Sequence, residues 1–201
     1  MVRPRTFNEH QVLDHALKLF WEKGFEATSF DDIVKATGLG RGSLQAAFGS
    51  KELLFTRVLD HYIAERTRQV LAIKSVGGPK NRLGRLMHSW ACMTTSETWP
   101  SGCFLSLLGA SGDAPPTARK TLIESQNIVH SMIVDIIKEG QEKGDFCAGE
   151  SSDRLAAFCI VVLQGIAAAA RTGWQAEELH NVVKCALERV SLQSTPSSQI
   201  K

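Results

Sequence analysis

Cations stand in this chain where a polyanion could meet them. Arg3 and Arg5 lie in the first five residues, Arg41 at the start of a short helix, and Lys51 at the start of the next. Between the last two come Gln45, Ala46 and Ala47. The planar amide of a glutamine carries the donor and acceptor that pair with the edge of adenine, and an alanine methyl can meet the methyl of thymine. Basic groups placed this way around an amide suit DNA, held by its phosphates and read by its bases. A second chemistry belongs to Cys103. It follows Trp99-Pro100-Ser101-Gly102 and begins a helix, where unpaired amides and the helix dipole stabilise a thiolate. Two readings of it stay open: a sensing thiol, with Cys92 as a resolving partner, or a small apolar core residue. Cys159 and Cys185 fall in apolar helical stripes and read as packing. An enzyme with Cys103 as nucleophile and His88 or His130 as base is an alternative, but no spacing fixes such a pair.

These groups need helices to place them. Thr28, three residues before Asp31, reads as the cap of a helix carrying Ile33, Val34 and Ala36. Gly38 reads as its left-handed stop. Residues 41–48 form a second helix ended by Gly49, and Ser50 caps a third that begins Lys51-Glu52-Leu53-Leu54-Phe55. Two short helices joined by a tight Gly-containing turn make a helix-turn-helix sized for the major groove. Ahead of it, Thr6 and Glu9 read as a capping box, and Val12, Leu13, Ala16, Leu17 and Phe20 recur at helical spacing. Behind it, the spacing predicts helices over 51–75, 81–98, 103–110, 117–143, 152–170 and 175–192. Their breaks are Gly77-Gly78-Pro79, Asp113-Ala114-Pro115-Pro116 and the Gly144 to Gly149 segment. No alternating pattern survives, so the fold class is all-α with about nine helices. The expected organisation is a DNA-binding domain over 1–50, a ligand-binding and dimerisation domain over 51–192, and a flexible polar tail over 193–201.

The totals constrain less. With 201 residues, 43% of them hydrophobic and 22% charged, the composition is that of an ordinary globular protein. Five scattered cysteines with no CxxC pair argue against a disulfide framework or a zinc site, and no metal or other cofactor is called for. The most apolar stretch, 156–170, is interrupted by Gln164 and Gly165 and is shorter than the ~18 residues of a membrane span. No N-terminal apolar run reads as a signal peptide, so a cytoplasmic protein is expected. Net charge is only +2, and residues 1–61 hold eight Lys/Arg against eight Asp/Glu. Binding to DNA must therefore rest on where the charges sit.

The N-terminal residues resemble the tetracycline-repressor (TetR) family. The matching positions are Ala16-Leu17, Phe20, Lys23-Gly24-Phe25, Thr28-Ser29, Asp32-Ile33, Ala36, Gly38-Leu39, Gly42-Ser43-Leu44, Phe48 and Ser50-Lys51-Glu52-Leu53-Leu54. They span about a quarter of the chain, and their strength is the number of positions that agree at fixed spacing. The resemblance implies a homodimeric transcriptional regulator whose two heads grip a palindrome in double-stranded DNA, controlled by a C-terminal ligand domain. It implies that Arg41, Gly42 and Ser43 open the recognition helix and approach bases or phosphates. It also implies a phosphate on Lys51 and its helix N-terminus, and a backbone contact at Thr28. Members usually carry an aromatic and a His or Tyr just before the Phe matching Phe48. This chain has Gln45-Ala46-Ala47 there, an unusual base-reading surface.

Behind the DNA-binding head, Met87, Trp90, Met93, Trp99, Phe104 and Leu105 are large apolar groups on the helices that line a pocket in such regulators, and His88 and His130 offer polar handles. They suggest a small, mainly apolar effector. The segment Gly102-Cys103-Phe104-Leu105 is similar to the Gly-Cys-Leu of family members that sense electrophiles, which adds a thiol-reactive effector. A homodimer is expected through the helices over 156–170 and 175–192, as an isologous four-helix bundle. The first of these is expected to be buried nearly all round. The leading expectation is a repressor released from its operator by an effector. The alternatives are a helical interaction protein with a vestigial DNA head and the cysteine enzyme.

Overall fold

The computed structural model describes residues 7–74 and 76–191. Arg3, Arg5, Thr6 and the tail over 193–201 lie outside them. Among the described residues there are nine helices and no strand, as the all-α reading expects. They are α1 Glu9–Lys23, α2 Phe30–Thr37, α3 Arg41–Phe48, α4 Lys51–Lys74, α5 Pro79–Thr94, α6 Phe104–Ser111, α7 Pro116–Glu142, α8 Ser152–Arg171 and α9 Ala176–Ser191.

Several helix starts differ from the sequence reading, each for a local reason. Helix α1 is capped by Asn8, whose side chain accepts from the amides of His10 and Gln11. Helix α2 starts one residue later than the Thr28–Asp31 pair implies. Ser29 is the cap, and it exchanges hydrogen bonds with Asp32 in a full capping box. Thr28 is fully buried, and its hydroxyl donates to the Gly24 carbonyl at 2.6 Å, which leaves it no part in the cap. Helix α5 starts at Pro79 rather than 81, because proline suits the first helical turn, where no amide donor is needed. It ends at Thr94, four residues short of the expected 98. The stops and starts around the second short helix agree with expectation. Gly38 is left-handed at φ 68°, α3 covers Arg41–Phe48, and the Ser50 hydroxyl accepts from the Leu53 amide at 3.3 Å.

The chain divides into two compact units. The first holds the residues up to Arg68 and Leu107–Ile123. Its core is aromatic: Phe20, Trp21, Phe25, Phe55 and Tyr62 are buried, with Phe55 edge-on to Phe20 at 4.9 Å and to Phe25 at 5.0 Å. Each such ring removes some 150–250 Å² from water, and the edge-to-face geometry adds a further preference. Ile33 and Leu44 are fully buried, so α2 and α3 are each anchored from their inner faces.

The second unit holds Gln69–Ser106 and the chain from Glu124 onward. Helices α5, α8 and α9 pack on one another there, and Ile133, Ile136 and Ile137 of α7 join their core. Helix α8 departs from expectation twice. At 20 residues and with a mean hydropathy of 1.6 it is long and apolar enough to cross a membrane, because its ends run past the apolar stretch counted in the sequence. It is also not buried all round. Leu155, Cys159, Leu163 and Ile166 are inside, while Val161 is 65% exposed and Phe158 39% exposed. Eight consecutive apolar residues must point in every direction around a helix, and the packing within the described chain covers only part of that circle.

Candidate nucleic-acid interface

The site is α3 and what holds it. Leu44 and Phe48 turn inward and are buried, which leaves Arg41, Gly42, Ser43, Gln45 and Ala46 exposed and Ala47 half-buried. The expected base-reading residues thus lie on the part of α3 that Leu44 and Phe48 leave open, Ala47 only partly. Arg41 is poised against α2: its guanidinium pairs with the Asp31 carboxylate and sits over the Phe30 ring at 5.3 Å. Both partners of that ion pair are solvent-exposed, so it is worth at most about 1 kcal/mol.

Lys51 is engaged differently. Its Nζ donates to the Phe25 carbonyl at 3.0 Å and stands 4.2 Å from the Phe25 ring centroid. That contact ties the start of α4 to the turn between α1 and α2. An ammonium has three donors, so others remain for an anion. Thr28 keeps its hydroxyl for the Gly24 carbonyl. The cap of α2 is electrostatically settled as well. The Ser29 hydroxyl and amide, with Lys23 Nζ 3.4 Å from the carboxylate, hold the Asp32 carboxyl down at about 2.

Two supporting residues were not found by sequence reasoning. Arg57 of α4 donates to the Ala47 carbonyl at 3.2 Å, pairs with Glu9 of α1, and lies 4.9 Å from the Phe48 ring centroid. One guanidinium therefore joins α1, α3 and α4 beneath the exposed face. Asp113, in the α6–α7 connection, accepts from the Phe25 amide at 2.5 Å and the Glu26 amide at 3.3 Å. Gly24, at φ 85°, makes room for it, since any side chain there would collide with the carboxylate. Neither partnership shows in the sequence, because each joins residues far apart in the chain with no periodic signal.

In the second unit the expected effector residues divide by environment. Met87 and Phe104 are fully buried, and Met87 belongs to the core shared with α7, α8 and α9. Trp90 packs against that core and donates its Nε1–H to the Leu163 carbonyl at 3.0 Å. Met93, Trp99 and His130 are half-buried. Cys103 sits immediately before α6, where expected, and is only 3% exposed. Cys159 is buried, and that burial pushes its thiol up to about 12. Cys185 corrects the packing reading. It is exposed on α9, since the buried positions there are Leu179, Val183, Ala186 and Val190, and residue 185 turns away from that stripe. Among the described residues no group of three or more His, Cys, Asp or Glu is placed to hold a metal.

An anchored pair of short helices with one polar face outward, ahead of a larger helical unit, defines a helix-turn-helix regulator. Residues 12–58 match the family described as bacterial regulatory proteins, tetR family, and residues 79–186 match the tetracyclin repressor-like C-terminal domain. The HTH-type transcriptional repressor ComR of Escherichia coli is 33% identical over 190 residues, covering 90% of this chain and 87% of its own. The repressor BdcR of the same organism is 29% identical over 178 residues, covering 88% and 86%. Among solved structures, a cysteine-substituted TetR-family regulator CifR bound to 26-bp double-strand operator DNA has a TM-score of 0.81 at 29% identity, over 92% of this chain and 98% of that one. The reduced form of E. coli NemR shares the fold, with a TM-score of 0.78 at 17% identity over 93% and 97%. The chain belongs to the TetR family of DNA-binding transcriptional regulators. Regulation rather than catalysis is the family's work, so the cysteine-enzyme alternative falls away.

Proposed function

We propose that this chain is a homodimeric repressor that places one α3 in each of two successive major-groove segments of a palindromic operator, and that a small effector releases it. The observation that carries this is the face of α3: Arg41, Gly42, Ser43, Gln45 and Ala46 are all presented to solvent by a helix anchored through Leu44 and Phe48. Arg41 leaves Asp31 for a phosphate or base, and Lys51 adds a phosphate contact at the start of α4. Gln45 reads adenine, with Ala46 or Ala47 against a thymine methyl. Arg3 and Arg5 supply arm contacts, and the Thr28 turn contributes through its backbone. The operator complex of CifR and the repressor name of ComR support this reading by kinship.

The dimer forms through α8 and α9. Phe158, Val161, Gly165 and Ala168 fall at intervals of three and four and are exposed, a stripe that a symmetry mate can cover. The effector is a small apolar molecule held near Met87, Trp90, Met93, Trp99, Phe104 and His130, and it acts by shifting the population between DNA-competent and splayed forms. The N-terminal head over 1–50 carries DNA recognition and 51–192 carries control. The protein works in the cytoplasm.

A gel shift with the palindrome upstream of the protein's own gene tests the docking. Arg41→Ala and Lys51→Ala should each weaken binding about tenfold or more with unchanged helicity by circular dichroism. Full-strength binding by both variants would sink the assignment, and failure to select any sequence from a random pool would favour the interaction-protein reading.

A further inference from the structure

We propose that Cys92, His180 and His88 form a nucleophilic thiol site that takes α,β-unsaturated carbonyl compounds as covalent ligands. The site lies in the second unit, along the seam between α5 and α9. His88 and Cys92 are four residues apart and share one face of α5, and His180 of α9 reaches in between. His180 Nδ1 is 2.8 Å from His88 Nδ1, and His180 Nε2 is 3.5 Å from Cys92 Sγ. Cys92 is exposed, so a small molecule can reach the sulphur.

The spacing assigns roles. Two ring nitrogens 2.8 Å apart share a single proton, so one donates and the other accepts. Burial, then the neighbouring charges of His180 and Lys184, lower the pKa of His88, which favours its uncharged ring. With His88 accepting, His180 carries its proton on Nδ1 and turns the lone pair of Nε2 toward the thiol. This is the order of nucleophile, base and orienting group that activates thiols elsewhere. Cys103 and Cys159 are buried, and Cys185 lies five residues past His180, turned away from the seam by helix geometry.

The chemistry balances without an added oxidant. The Cys92 thiol passes its proton to His180 Nε2, and sulphur bonds to the β-carbon of the conjugated system. The π pair moves onto the carbonyl as an enolate, which takes the proton back from His180 at the α-carbon. The product is a thioether, and His180 returns to its neutral state. His88 acts through His180 and is a positioning residue. The regulatory meaning of the adduct rests on the repressor reading above, whereas the thiol's reactivity does not.

The test treats the full chain with limiting N-ethylmaleimide at pH 7 and follows each cysteine by peptide mass spectrometry. Cys92 should label roughly tenfold faster than Cys185, which is exposed as well, because His180 takes the proton of Cys92 as the sulphur attacks. His180→Ala should bring Cys92 down to the rate of Cys185. His88→Ala should slow it too, while His88→Gln, whose amide oxygen can accept from Nδ1, should restore it. Equal labelling of Cys92 and Cys185 in the unsubstituted protein overturns the site even if a variant fails to fold. An unchanged Cys92 rate in His180→Ala does the same. Operator binding before labelling reports separately on the repressor assignment. Labelling should release the operator from the unsubstituted protein but not from Cys92→Ser, and operator retention by fully labelled protein overturns the regulatory link.

Discussion

Arg57 shows how the recognition surface depends on a side chain that never touches its outward face. It joins Glu9, the Ala47 carbonyl and the Phe48 ring, so replacing it releases three elements together. Arg57→Ala should cost about 1–3 kcal/mol in a denaturant melt, and Arg57→Lys should recover little, because an ammonium cannot span the same partners. Asp113 is the second such residue. Asp113→Ala leaves the Phe25 and Glu26 amides without their acceptor, and about 1–3 kcal/mol of stability should go with it. Gly24→Ala should be similarly damaging, since it adds a left-handed backbone penalty to the collision with Asp113. A variant of Gly24 that melts with the parent protein would show that the carboxylate is not seated there. In the proposed docking Gln45 bears on specificity instead: Gln45→Ala should leave stability unchanged and relax discrimination at one base pair by about 1–3 kcal/mol in binding to operator variants.

Among the elements, α2 has its start closed by a full capping box. Ser29 and Asp32 close the capping box, and Ser29→Ala should cost about 1 kcal/mol. The carboxyl of Asp32 is held at about 2, below its ordinary 3.8, chiefly by the Ser29 hydroxyl. A depressed folded-state pKa means that the cap's contribution is complete above the ordinary carboxylate range and fades as pH falls through about 2. A carboxyl-carbon NMR titration should place the Asp32 midpoint near that value, and in Ser29→Ala it should move up toward the ordinary one. The sequence pattern of this helix was legible, yet its start was read one residue early. Thr28 and Ser29 are both good caps, with acids three residues on in each case. The choice between them turns on Thr28 being buried with its hydroxyl on Gly24, which is a packing outcome.

For the molecule as a whole, the exposed stripe on α8 is an apolar surface that the packing within the described chain does not cover. Val161→Glu puts a charge at its centre while disturbing nothing inside the protomer, because Val161 is 65% exposed. If α8 pairs with its symmetry mate, this variant should sediment as a monomer with native helicity and lose operator affinity, since two linked heads bind far better than one. A parent protein that is itself monomeric at micromolar concentration would remove the dimer and the stripe's proposed role together.

Helix number among the described residues, the short pair around Gly38 and the inward isoleucines of α7 were determined by the sequence, whereas the one-sided burial of α8 and the exposure of Cys185 were not. Periodicity and caps are local properties, written within a few residues of where they act. The resemblance to a family of regulators was also carried locally, by many residues at fixed spacing in the first quarter of the chain. Other features were decided by tertiary structure alone. Arg57 meets Glu9, Asp113 meets the turn after α1, and Cys92 meets His180 across 88 positions of sequence. Burial likewise sorted the cysteines, enclosing Cys103 and leaving Cys92 and Cys185 exposed. The physical reason is common to all of these. Side chains far apart in the chain become neighbours only when apolar stripes have chosen their partners, and no single stripe records which partner that is.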